Sequence, residues 1–320
     1  MDLMQLEMFV AMVEESNFHK AAERVFRTQP ALSMALRKLE QEVGAPLFDR
    51  TNRNDYTLTD SGEVLYEYAK RLLNLRDEAL TTLRQLHTLQ SGRIRLGANE
   101  STSLYLLPQI ILAFREQYPR IKIEVSRHLS AKLPYELRQR NLDVAILSFL
   151  PEESDLESTL IMRDKLVLVA SPEHPLARQK RVHVRDLGGE AFIAHNAHSP
   201  ARQKVIDTFR KFQTPLNITT EIATMETIKK FVAMNIGLGF VPLMCVEEAV
   251  ERGELAIIPL EGFHHERNLW AVRRKTESHS HAALALMKVI KELTADRINE
   301  PNLSTVEKDE EEAKGTAPVN

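Results

Sequence analysis

Phe18-His-Lys-Ala-Ala-Glu-Arg-Val-Phe-Arg-Thr-Gln-Pro-Ala-Leu-Ser-Met-Ala-Leu-Arg-Lys-Leu-Glu40 reads as two short helices joined by a tight turn. Ala21, Ala22, Val25 and Phe26 recur at helical spacing and predict an apolar face on the first helix. Arg27-Thr28 interrupts it, and Pro30 suits the first turn of a new helix, where a missing N–H costs nothing. Leu32, Ala35, Leu36 and Leu39 form the buried stripe of that second helix. Gln29, Ala31, Ser33, Met34, Arg37 and Lys38 then point elsewhere, and no acid appears before Glu40. Gln and Ser can hydrogen-bond base edges, Ala can lie against a thymine methyl, and Arg and Lys can hold phosphate or guanine. An earlier helical pattern, Met4 to Glu14, supplies Leu6, Phe9, Val10 and Val13 to close the small core.

An ordinary helical hairpin shares this pattern, so the next segment matters. Leu47–Arg50 and Tyr56–Leu58 read as short extended pieces around a tip rich in Asn and Asp, the form of a β-hairpin wing. Arg50 and Arg53 sit at that tip, within reach of phosphates or a minor groove. Thr59-Asp-Ser-Gly-Glu63 has the acids of a helix N-terminus.

Residues 4–62 resemble the N-terminal winged helix-turn-helix of LysR-type transcriptional regulators. The likeness is carried by Leu6-Glu-Met-Phe9, Ser16-Asn-Phe18, Ala21-Ala22, Thr28-Gln-Pro-Ala-Leu-Ser33, Leu39-Glu-Gln-Glu42, Gly44-Ala-Pro-Leu-Phe-Asp-Arg50 and Leu58-Thr59…Gly62. Met34 stands where family members often carry Arg, a departure that bears on one DNA contact and not on the fold. The implied DNA-facing set is Thr28, Gln29, Pro30, Ser33, Met34, Arg37, Lys38, Arg50 and Arg53. The implied partner is double-stranded promoter DNA.

Charge alone does not announce a nucleic-acid binder. The formal net charge is −3, and residues 1–60 hold more acids than bases. Lys20, Arg24, Arg27, Arg37, Lys38, Arg50 and Arg53 are nevertheless gathered in the elements expected to face DNA, and phosphates respond to local placement within a Debye length. A chain of 320 residues with 43% hydrophobic content fits about two or three domains. A single cysteine, Cys245, excludes an intrachain disulfide and agrees with a reducing cytoplasm. The start of the chain does not read as a secretion segment, and no apolar run approaches the ~20 residues that span a bilayer. A cytoplasmic protein is expected.

Residues 61–90 contain no Pro and only Gly62 at the start. Leu65, Tyr68, Leu72, Leu75 and Ala79 follow steps of three and four, before the register shifts to Leu83 and Leu86. This predicts a coiled-coil linker helix of about three heptads, although such a stripe can also pack within its own chain. A symmetric dimer reads two half-sites, which favours dimerisation. Ser91-Gly92 is expected to end the helix as a hinge.

From residue 91 to 295 short apolar strands alternate with helices, which argues for α/β lobes. Expected strands are Ile94–Ala98, Ile121–Ser126, Val144–Leu147, Leu166–Ser171, Ala191–His195, Ile218–Ile222, Gly239–Val241, Leu255–Pro259 and Asn268–Arg273. Expected helices are Ser103–Gln117, Pro134–Arg140, Pro200–Lys211, Met225–Met234 and Val246–Arg252. The family resemblance continues in Ser171-Pro-Glu-His-Pro-Leu-Ala177, Asp186-Leu187 and Val232…Gly237-Leu-Gly-Phe-Val-Pro242. It implies a two-lobed effector domain built like periplasmic binding proteins, with lobe I at 93–163 and 269–295 and lobe II at 164–268. The acid-rich residues 296–320 are expected to be a disordered tail.

In that architecture a small molecule lies between the lobes, near strand C-terminal ends and helix N-termini. Asn99, Ser101, Thr102 and Ser103 offer hydroxyls and N–H groups suited to an anionic or zwitterionic effector, or simply cap a helix. Glu100 fits an anion site only if it points away or receives an amine. His128, Ser130, Ser148, His195, Asn196, Ser199, Thr224 and Thr227 sit at the other loop tips expected around the cleft. Gly237 and Gly239 suit close helix–strand packing. His264-His265 and His279-Ser-His281 lack the further ligands of a metal site, and Cys245 lies in an apolar run as an inert thiol. No catalytic motif is apparent, so a solute-binding component or an enzyme are the weaker alternatives. The expectation is a non-enzymatic homodimer, assembling to a homotetramer, that needs no cofactor beyond an unidentified co-inducer. It would bind promoter DNA, act with RNA polymerase and avoid membranes.

Overall fold

A computed structural model describes residues 1–49, 57–85, 92–196, 199–275 and 280–299. Helix α1 (Leu3–Glu15) starts at a reciprocal cap: Asp2 accepts the Gln5 N–H at 2.8 Å, and Gln5 accepts the Asp2 N–H at 2.7 Å. Helix α2 (Phe18–Arg24) is capped by Asn17, and α3 (Gln29–Val43) by Thr28. Pro30 falls in the first turn of α3, and Gly44 ends that helix in the left-handed region at φ 76°. Leu6, Phe9, Val10, Ala21, Ala22, Leu32, Leu36 and Leu39 form one buried cluster, as their spacing predicts.

Phe26 departs from that expectation. Helix α2 stops at Arg24, and Phe26 takes φ 54° in the turn, which throws its ring outward until the residue is 90% exposed. Helical periodicity cannot be extended through a left-handed residue. Behind α3, Phe48 and Leu58 form an antiparallel bridge, the base of the expected wing. The wing tip with Arg50 and Arg53, and Tyr56 of its return piece, lie outside the described residues.

Helix α4 (Asp60–Gln85) leaves the wing at Gly62, where any Cβ would meet the Leu47 carbonyl oxygen at 2.1 Å. Leu65, Ala69 and Leu73 turn into the N-terminal core of the same chain. Tyr68, Leu72, Leu75, Ala79 and Leu83 stay exposed, so the predicted seam is split: Leu65 packs internally and the rest forms an outward stripe. Leu86 and Ser91 lie outside the described residues.

The effector domain begins with β1 (Gly92–Ala98), α5 (Glu100–Tyr105), α6 (Leu107–Gln117), β2 (Ile121–Arg127), α7 (Leu133–Arg138), β3 (Val144–Leu147) and β4 (Leu156–Met162). The second lobe holds β5 (Leu166–Ala170), β6 (Val182–His183), β7 (Ala191–His195), α8 (Pro200–Lys211), β8 (Asn217–Ile222), α9 (Met225–Ala233), β9 (Gly239–Pro242), α10 (Glu247–Glu251), β10 (Ala256–Ile258) and β11 (Leu260–Glu261). The chain then returns to the first lobe as β12 (Leu269–Arg274) and α11 (His281–Asn299).

Lobe I is a five-stranded sheet in the order β2-β1-β3-β12-β4, with β1 parallel to both neighbours and β12 antiparallel to β3 and β4. Lobe II combines an antiparallel β10-β5-β9 sheet with the parallel pairs β7-β8 and β6-β11. Gly237 and Gly239 sit where the backbone closes on its neighbours: a Cβ on Gly237 would meet Ala191 O at 2.7 Å.

Several boundaries correct the sequence expectation. The helix expected at Ser103–Gln117 starts at Glu100 and breaks at Leu106, because Pro108 cannot donate to the preceding turn and a second helix begins there. Gly92 is the first residue of β1, paired with Ile121, and not part of a free hinge. Helix α11 runs to Asn299, so residues 296–299 are helical where a disordered tail was expected; residues 300–320 lie outside the described residues. Strands β4, β6 and β11 were absent from the sequence reading.

Lobe I also clasps the linker helix. Asn74 Nδ2 donates to Gln139 O (3.1 Å) and Asn141 Oδ1 (2.8 Å), and Tyr135 donates to Glu67 (3.1 Å). Glu78 pairs with Arg140 and Arg274, and Arg274 also donates to the Leu137 and Leu142 carbonyls at 2.7 Å each. Burial holds the Arg274 guanidinium below its ordinary pKa, against the pull of Glu78.

Candidate functional site

Two regions carry the candidate residues. The first is the outer face of α3. Thr28, Gln29, Pro30, Met34, Arg37 and Lys38 are exposed, and Ser33 is half-buried beside them, while Leu32, Leu36 and Leu39 anchor the opposite face. The Thr28 hydroxyl is engaged as a cap, accepting from the Ala31 N–H at 3.4 Å. Arg24, one of the basic residues expected nearby, is turned the other way and donates to Glu14 (2.5 Å) and Glu15 (3.1 Å) of α1. Burial would raise the Glu14 carboxyl, but Arg24 and Lys70 hold it below the ordinary carboxylate range. Arg24 thus ties α2 to α1. Arg37 and Lys38 are the exposed cations of α3, whose width fits a major groove, and Lys20 of α2 and Arg27 of the turn are exposed as well.

The second region lies between the lobes. Asn99 follows β1 and caps α5, accepting from the Thr102 N–H at 3.0 Å and from the Ser101 hydroxyl at 3.1 Å. Its amide donates to Ser130 Oγ at 2.9 Å, and Ser130 shares a 3.2 Å hydrogen bond with Ser148. Three separate loop tips of lobe I are thereby joined. Ser101 is claimed by structure: it also accepts from Arg267 at 2.7 Å. Thr102 and Ser103 differ, since their buried hydroxyl oxygens have no hydrogen-bond partner among the described residues, and Thr102 is 0% exposed. A buried hydroxyl without a partner is costly, which sets these two apart from Ser101.

Lobe II meets this edge through Glu100. Its Oε1 accepts the Met225 N–H at 3.2 Å and its Oε2 lies 3.7 Å from His195 Nε2. His195 and the Thr224–Thr227 turn therefore converge on α5. Thr224 caps α9, and its hydroxyl is bonded to that of Thr227 at 2.7 Å. Lys229 adds a second bridge, donating to the Tyr105 hydroxyl at 2.7 Å. The remaining candidates are held differently. His128 is fixed by its N–H to Ala98 O (3.0 Å), Asn196 by its N–H to Ile222 O (2.9 Å), and Ser199 caps α8 from an exposed position. None of these three is tied by a hydrogen bond to the Asn99–Ser103 turn.

Sequence reasoning missed Arg267, Asp164, Tyr105 and Lys229. They are far apart in the chain and no local pattern joins them. Burial raises the Asp164 carboxyl above its ordinary pKa, with Arg267 acting against that rise. Burial also pushes up the Cys245 thiol, in keeping with an inert cysteine. His264 is exposed and near Glu266, and burial lowers His265; His279 lies outside the described residues. Among the described residues no group of three or more His, Cys, Asp or Glu is placed to hold a metal ion, and no helix is long and apolar enough to cross a membrane.

Residues 3–63 match the family model described as bacterial regulatory helix-turn-helix protein, lysR family, and residues 87–295 match the LysR substrate binding domain. A probable RuBisCO transcriptional regulator of Cyanidioschyzon merolae is 32% identical over 290 residues, covering 87% of this chain and 94% of the relative. Among solved structures, full-length CbnR complexed with its target DNA superposes with a TM-score of 0.68 at 19% identity, covering 91% of this chain and 99% of CbnR. The regulatory domain of Synechocystis CcmR in complex with 2-PG gives a TM-score of 0.59 at 24% identity, over 66% of this chain and 100% of that domain.

Proposed function

This chain belongs to the LysR family of DNA-binding transcriptional regulators, and from that premise we propose how its own residues do the work. The α3 face enters the major groove: Gln29 and Ser33 read base edges, Arg37 and Lys38 hold guanine or phosphate, and Thr28, Pro30 and Met34 fit the helix against the backbone. Arg50 and Arg53 serve the wing. The observation that carries this reading is the division of α3 into an apolar face locked in the core and an outer face free of acids up to Glu40.

The exposed stripe of Tyr68, Leu72, Leu75 and Leu83 pairs with its copy in a dimer, and two dimers span an interrupted palindrome. RNA polymerase is the partner through which bound protein alters transcription. The protein works in the cytoplasm and not as an enzyme.

A small anionic or zwitterionic metabolite binds between the lobes, on the orphaned hydroxyls of Thr102 and Ser103 with Ser130, Ser148, His195 and Thr227 around it. CcmR, a structural relative, was solved with 2-PG, which supports an effector of that size. Binding there changes the angle between lobes. The clasp of lobe I on the linker helix at Asn74 and Glu78 passes that change toward the DNA-binding domain, so effector and DNA affinities are reciprocally coupled. Gel mobility shift against DNA upstream of the protein's own gene tests the reading. A retarded complex is expected, weakened at least about tenfold by Arg37→Ala, the loss of one charged contact.

A further inference from the structure

Glu100 is the one carboxylate that the Asn99–Ser103 turn carries, and it crosses from lobe I to lobe II. The side chain is 14% exposed, and its two oxygens face the Met225 N–H and His195 Nε2. Among the described residues it forms no ion pair with Lys or Arg: Lys229 is held by Tyr105 and Glu226, and Arg267 by Asp164 and Ser101. An ionised carboxylate has about four lone-pair sites, and these contacts use two. Among the described residues the one basic side chain set against Glu100 is His195, 3.7 Å away, so the seam between the lobes carries a carboxylate with accepting capacity to spare. It stands two and three residues from the hydroxyls of Thr102 and Ser103, which have no partner among the described residues.

We propose that Glu100 selects the effector by charge. The cleft takes a small molecule with one anionic group, held by the hydroxyl edge, and an ammonium at the end that faces Glu100. A molecule anionic at both ends is disfavoured, because a second anion would meet a carboxylate in a partly desolvated seam. The proposal rests on the reading that the effector lies between the lobes, and it narrows that effector to a zwitterion.

Phosphoethanolamine and 2-phosphoglycolate test it, since both carry a phosphate and they differ in ending with an ammonium or a carboxylate. Isothermal titration of each into the full-length protein and into Glu100→Gln gives two affinity ratios. The wild type is expected to favour phosphoethanolamine at least about tenfold, a preference that falls by a similar factor in Glu100→Gln and survives in Glu100→Asp. A ratio unchanged by Glu100→Gln overturns the proposal. So does a wild-type preference for 2-phosphoglycolate, or the absence of binding of either probe to either protein. Gel shift of the wild type with DNA reads the regulator assignment separately, so the two readings fail independently.

Discussion

Arg267 and Asp164 meet twice where the chain crosses between the lobes: the Arg267 N–H donates to Asp164 O at 2.6 Å, and its guanidinium donates to Asp164 Oδ2 at 2.7 Å. The adjacent Lys165 and Glu266 form an antiparallel bridge, so the outgoing and returning segments run side by side as a short ribbon. Asp164 also accepts the Met244 N–H at 3.2 Å, and Arg267 also donates to Ser101. One buried ion pair thus ties together the two crossing segments, lobe II and the turn at the cleft. Any change of angle between the lobes bends this ribbon.

Arg267→Leu leaves the buried Asp164 carboxylate without its cation. At neutral pH it should cost about 3–5 kcal/mol in urea unfolding. Burial already raises the Asp164 pKa, and removing Arg267 raises it further. A raised folded-state pKa contributes stability at low pH that is lost as pH rises through it. The deficit of the variant should therefore shrink on acidification from neutral pH, and a deficit that is flat with pH argues against this assignment.

Glu78→Gln removes the carboxylate between Arg140 and Arg274 while leaving Arg274 its two carbonyl partners. A loss of about 2 kcal/mol is expected, less than for a fully buried pair. Faster amide exchange along residues 60–85 should accompany it, since the clasp then releases one side of the linker helix. Unchanged exchange would mean that the Glu78 pairs do not hold the linker helix against lobe I.

Cys245 is 2% exposed and its thiol pKa is pushed up by burial. The folded protein should resist aromatic disulfide reagents at pH 8 for hours, and react within seconds in denaturant. Prompt labelling of the native protein would mean that this part of lobe II opens readily.

Leu72 and Leu75 are 41% and 45% exposed on α4. Replacing both by Asp puts like charges across the proposed helix pair and removes its apolar contact. Sedimentation should fall to the mass of one chain with helical content preserved. A dimer that survives the double change would move the interface elsewhere.

What the sequence discloses here follows from how local the determinants are. Thr28-Gln-Pro and the Leu32, Leu36, Leu39 stripe specify α3 within one turn's reach, and the helix starts at Gln29 accordingly. Phe26 was misread because only a backbone change to φ 54° separates it from the periodic residues before it. Strand β4 was missed because Leu156-Glu-Ser-Thr-Leu160 has too little apolar alternation to stand out; pairing with β12 is what makes it a strand. The Asn99–Ser103 turn was legible, yet the side chains that bridge to it, from Arg267 and His195 to Lys229, come from the opposite lobe. Folding alone brings those residues together.

The most direct test of the regulator is genome-wide mapping of the sites it occupies, with Arg37→Ala as control. The account predicts sharp peaks that share an interrupted palindrome and vanish in the variant, while the variant remains folded and abundant. Peaks that persist unchanged in Arg37→Ala, or no enriched sites under any growth condition tried, would contradict DNA recognition by the α3 face.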